Sequence, residues 1–137
     1  MTIFETFDID GEIRQYQYSF EHIEYSDDVL FKVFSIPLDE IRWFSYRVKI
    51  INSTLAKSEQ FSNFGNSEFA KKGIPEKIIQ IASSELNRDI KSSPITFQDG
   101  NYLTPPSRKA WERLVLQCEN AYLDTVKDCF IYKRILE

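Results

Sequence analysis

The sequence predicts an α+β domain with a mixed, mainly antiparallel central sheet and helices packed on it. Three observations carry this. The first half of the chain alternates apolar and polar residues at period two, and the second half changes to helical spacing. Aromatic residues make up 15% of the chain, with 11 Phe and 7 Tyr, which favours strands and filled cores. A length of 137 residues fits one domain, 1–137, with a single core.

The elements follow in order. Residues 13–20 place Tyr16, Tyr18 and Phe20 at every second position, with Gln15, Gln17 and Ser19 between them. Residues 29–36 form a short apolar run broken by Lys32 and Ser35 and ended by Pro37. Residues 42–51 alternate most cleanly. Phe44, Tyr46, Val48 and Ile50 mark a core face, and Ser45, Arg47 and Lys49 a wet or polar one, so this strand belongs near the sheet centre. Residues 52–71 have the composition of a polar loop interrupted by Phe61, Phe64 and Phe69. So long a loop is unusual in a compact domain, which predicts a short strand or helical turn inside it.

The period then changes. Over 75–87, Ile78, Ile81, Ala82 and Leu86 fall near one helical face behind a Gly-Ile-Pro start. Residues 90–97 read as a strand broken at Pro94, and Asp99-Gly100-Asn101 as a turn. Thr104 is an N-cap for a helix over 105–118, with Trp111, Leu114, Val115 and Cys118 on its apolar face. Residues 128–136 read as a last strand, with 121–124 as its hairpin partner. The order is βββ, an unassigned stretch, then αβαβ, and both helices are expected on the sheet.

Composition excludes several classes. A hydrophobic share of 42% and a charged share of 28% exclude disorder. Cys118 and Cys129 sit in apolar patterns and read as buried free thiols, and with His22 the only histidine no zinc spacing exists. The first residues carry neither a basic stretch nor a long apolar run, so no signal peptide is expected. No segment approaches the roughly 18 apolar residues of a membrane span. The expectation is a cytoplasmic protein with no membrane partner. The net charge of −4 argues against nucleic acid. That charge is uneven. Residues 1–40 hold 10 acidic residues against Arg14 and Lys32, a net of −8, and the remainder nets +4. The acidic stretch reads as a solvated surface or as a docking face for a basic partner.

One stretch suggests an anion site. Lys71-Lys72-Gly73-Ile74-Pro75-Glu76 opens a helix, where free backbone N–H groups and the positive dipole end attract phosphate. Gly73 permits close approach and the lysines add charge, whereas Pro75 removes a donor and Glu76 repels an anion. An ordinary Gly-Pro helix start explains the same residues. With an ordinary negative φ at Gly73, a side chain there would leave the fold intact.

Lys72-Gly73-Ile74-Pro75-Glu76-Lys77-Ile78-Ile79 resembles the R-G-x-G-I-G-x-x-L start of the long helix in the GNAT superfamily of N-acetyltransferases. Thr104 to Val115 is similar to that family's next helix, T/N-x-x-A-x-x-L-Y/W-x-x-L, and a last strand at 128–132 follows in place. The resemblance covers about residues 71–137. It implies a GNAT-like fold and acetyl-CoA as cofactor, its pyrophosphate held by Lys71, Lys72, Gly73 and Ile74. It also implies attack of a small-molecule amine on the thioester, with a carboxylate such as Glu68 or Glu59 as the base. Tyr102 and His22 are further candidates. Ala70 stands where the family often has Gln or Arg, Pro75 replaces its second glycine, and Trp111 replaces a tyrosine acid. Those three positions suit a second reading, a GNAT-like scaffold without catalysis that acts as a module for binding a protein partner or for regulation. Arg108, Lys109 and Arg113 read as the solvated face of the last helix, and Trp111 as core.

Overall fold

The computed structural model describes residues 1–96 and 102–136. Five strands come first: β1 (Thr2–Phe7), β2 (Ile13–His22), β3 (Asp28–Ser35), β4 (Phe44–Ile50) and β5 (Leu55–Ser62). A 3-10 turn at Ser67–Phe69 leads to α1 (Ile74–Leu86), β6 (Asp89–Lys91), α2 (Pro105–Gln117), β7 (Ala121–Asp124) and β8 (Cys129–Tyr132). They form one eight-stranded sheet in the order β1-β2-β3-β4-β5-β6-β8-β7. Its first five strands are an antiparallel meander. The β5–β6 pair is parallel, as a connection through a helix allows, and β8 lies between β6 and β7.

The alternation of β4 does what its pattern predicts. Tyr46 and Val48 are wholly buried, Arg47 and Lys49 are exposed, and the strand is fourth of eight. Register carries the core face across the sheet. Phe20, Phe31, Tyr46 and Phe61 lie in one cross-strand row. Phe20 stacks on Phe31 at 5.0 Å between ring centroids, and Tyr46 on Phe61 at 4.6 Å. Both helices cover this face. Ile74, Ile78, Ile79 and Ala82 of α1 join the same buried cluster as Trp111 and Leu114 of α2. Arg113 reaches from α2 to the buried Glu76 of α1 at 2.8 Å, so this arginine of the solvated face also ties the helices together.

Several expectations are refined. The 52–71 stretch holds both β5 and the 3-10 turn. Its strand was hard to read because small residues, Ala56 and Ser58, occupy buried positions. The sequence pattern gives no sign of β1, because its apolar residues fall on both parities, Phe4 buried and Ile3 and Phe7 exposed. The strand at 90–97 is only Asp89–Lys91 within the described residues; Phe97 and the Asp99-Gly100-Asn101 turn lie outside them. Thr104 has the extended backbone of an N-cap, but its hydroxyl meets the Ser107 hydroxyl at 3.1 Å rather than a helix amide. Both cysteines are free; Cys129 is buried and Cys118 half-buried, and burial raises both thiols above their ordinary pKa. Among the described residues, no helix is long and apolar enough to cross a membrane.

Candidate binding cleft

The parallel pair is short. β5 and β6 pair only at Leu55–Asp89, Ala56–Ile90 and Lys57–Lys91. β5 then continues to Ser62, whereas the chain after β6 turns away. Ser92 N donates to Phe130 O at 2.9 Å, and Ile95 N to Asp128 O at 2.9 Å, so this chain follows β8. Ser92 fixes the departure, because its own Oγ accepts from Phe130 N at 2.9 Å. The strands therefore split at their carboxyl ends, where open α/β sheets bind ligands.

A cleft of about 400 Å³ occupies this end. Phe61 and Ser62 of β5 line it, with Pro75 from the first turn of α1 and Thr104, Pro106 and Ala110 from α2. Two helix starts thus border the mouth. On its β4 side the edge of β5 is paired as far as Ser62; among the described residues its β6 side is paired only through Lys57. Behind the wall, Tyr46 stacks on Phe61, and its hydroxyl faces Ser58 without completing a hydrogen bond. Burial pushes this phenol far above its ordinary pKa, so it stays a neutral donor. Trp111 Nε1 is likewise buried and has no partner among the described residues.

The residues singled out in the sequence are scattered around this cleft. Gly73 is the N-cap of α1 with φ of +78°, not the ordinary negative value, and a Cβ there would stand 2.3 Å from the Phe7 carbonyl oxygen. The β1–β2 turn is seated on it, and Ile9 N donates to Lys71 O at 3.2 Å. A side chain at Gly73 is therefore not neutral to the fold. Ile74 is wholly buried core, and Lys71 is exposed in left-handed backbone. Lys72 and Glu68 line a different groove, beside Tyr16. Glu68 pairs with Arg42 at 3.7 Å, and its carbonyl accepts from the Tyr16 hydroxyl at 3.4 Å. Glu59 is the extra residue of a bulge: Arg47 pairs with Gln60 and Val48 with Ser58, and Glu59 meets Lys57 at 3.7 Å. His22 and Tyr102 are exposed, and Trp111 is core. The sequence carries a sign of this cleft, a proline in the first turn of each helix, but no sign of the strand split.

Comparison with models of known families gives no match, and comparison with curated proteins gives none.

Proposed function

We propose that the chain is a GNAT-like binding module that takes the pantetheine arm of an acyl-CoA in the cleft at the carboxyl end of β5 without transferring the acyl group. The observation that carries this is the β5 edge beyond Lys57, which among the described residues is paired on its β4 side only. Strand backbone with free N–H and C=O groups suits a ligand bearing amides, and the pantetheine arm bears two. The element order supports this reading: loop, α1, strand and α2 follow one another, and the hairpin of β7 and β8 closes the chain. The Phe7 carbonyl over Gly73 and the missing N–H of Pro75 weaken the phosphate end of such a site. Binding then rests on the arm rather than on the pyrophosphate. Isothermal titration should give acetyl-CoA and acetyl-pantetheine affinities within roughly 3-fold, since no phosphate contact separates them. No binding of either at millimolar ligand, or an acetyl-CoA preference above roughly 30-fold, refutes the reading.

One observation favours acyl transfer to an amine instead. Glu59 sits at a β-bulge, a device that re-aims side chains beside active sites, and a base there would deprotonate the amine. Release of free CoA with a panel of amines, lost in Glu59→Gln, would establish that second reading.

A further inference from the structure

We infer that the sheet face opposite the helices carries an anion site, the row Lys49, Lys57 and Lys91 with Arg47 beside it, for a small ligand bearing two or more phosphate groups. The row follows from register. Lys49 pairs with Lys57 across β4–β5, and Lys57 with Lys91 across β5–β6. Each lysine follows a wholly buried residue, Val48, Ala56 or Ile90, so all three point away from the helices. Strands lie about 4.8 Å apart, so the row spans about 10 Å. Like charges directly opposite on neighbouring strands repel, and this sheet places three together.

The carboxylates nearby do not neutralise the row. Asp28 shares its register position with Lys49 but pairs with Arg47, at 3.5 Å. Glu59 meets Lys57 at 3.7 Å, and Asp89 is held by Lys133 at 2.8 Å. Among the described residues, Lys49 and Lys91 have no carboxylate within ion-pair distance. Two carboxylates therefore face four cations. The Lys57 side chain is only 16% exposed, so its charge is screened by water less than that of an ordinary surface lysine. The row also marks the last paired position before β5 and β6 part. A single phosphate meets one or two of these ammonium groups, whereas a short phosphate chain reaches along the row.

The test is isothermal titration of the full chain at low salt with tripolyphosphate, orthophosphate and a hexaglutamate peptide. Tripolyphosphate should bind at least roughly 10-fold more tightly than orthophosphate and weaken steeply with added salt. The double variant K57Q/K91Q should lose roughly 10-fold or more, and K109Q on α2 should change by less than about 2-fold. Without anion, K57Q/K91Q should melt at or above the wild-type temperature, because a repulsion has been removed. If it unfolds, the exposed K49Q carries the test. Absence of tripolyphosphate binding at millimolar concentration overturns the assignment. So does equal binding by the lysine variants, or a hexaglutamate affinity matching that of tripolyphosphate, which would mark an acidic-chain surface instead.

Discussion

Replacing Trp111 by alanine tests the packing of both helices on the sheet. The indole is wholly buried and stacks on Phe130 of β8, with ring centroids 6.1 Å apart and planes 17° from parallel. Truncating a large buried aromatic costs about 3–5 kcal/mol, including the cavity left behind. One term works the other way. Nε1 has no partner among the described residues, and an unsatisfied buried donor costs about 1–3 kcal/mol that the truncation relieves. The expected loss is therefore about 2 kcal/mol, or on the order of 7 °C in melting temperature. Trp111→Phe separates the two terms: it keeps most of the ring and removes the donor, so it should cost less than about 1 kcal/mol. Urea denaturation followed by circular dichroism measures both, with the slope checked for two-state behaviour. A Trp111→Ala loss under about 1 kcal/mol would refute the core role. A Trp111→Phe loss as large as that of alanine would mean that Nε1 has a partner after all.

Gly73→Ala should cost about 2 kcal/mol or more in the same melts, from the left-handed backbone and the clash with the Phe7 carbonyl. Gly65→Ala, with φ of +77° and open space around it, should cost about 1 kcal/mol, and equal losses would show that β1 does not press on Gly73. Burial opposes the charge of Asp8, but the Glu12 amide, the Arg14 guanidinium and the Asp10 amide outweigh it and hold its pKa below the ordinary value. A depressed carboxylate contributes stability above its unfolded pKa and loses it as pH falls through the folded one. Asp8→Asn should therefore melt lower than wild type at pH 7, and the two curves should converge as pH drops below about 4; a constant gap would contradict this. A double-mutant cycle on Glu76→Gln and Arg113→Met should give a coupling of about 1–2 kcal/mol, less than for a fully buried pair because Arg113 is half-exposed. A coupling near zero would leave the helices joined by apolar contact alone.

The legible part of the fold was the part written in periodicity. β4 alternates bulky and polar side chains, and α1 places its isoleucines on one stripe, so each reports its own burial. Two elements hid for opposite reasons. β1 spends apolar residues on both faces because it is an edge strand, with Ile3 and Phe7 left outside. β5 buries only small residues beside a bulge, which breaks the alternation at Glu59. The site was less legible still. The spacing of Lys71 to Ile74 is local and so legible, whereas the Phe7 carbonyl that meets Gly73 comes from more than sixty positions upstream. The lysine row was equally hidden, since Lys49, Lys57 and Lys91 become neighbours only through strand register.

Both proposed sites descend from one local event, the departure of the chain after Lys91 from β5 toward β8. Ser92 and Phe130 exchange two hydrogen bonds there, through backbone and side chain, and Ser92 Oγ also donates to Ser93 O at 2.8 Å. Ser92 is almost wholly buried, so the bonds face little competition from water and strongly favour pairing with β8. Had β6 continued along β5, the edge beyond Lys57 would be filled and no cleft would open between the helix starts. The same departure ends the cross-strand row on the opposite face, because Lys91 is the last residue that β5 holds in register. An anion on the row would touch the three-residue β5–β6 ladder, and a ligand in the cleft would meet the same strand β5 further along, at Phe61 and Ser62. Occupation of either site would bias the spread of those strands only by its differential affinity for the wider or narrower split. Since that bias acts through one shared element, any coupling between the two ligands must be reciprocal.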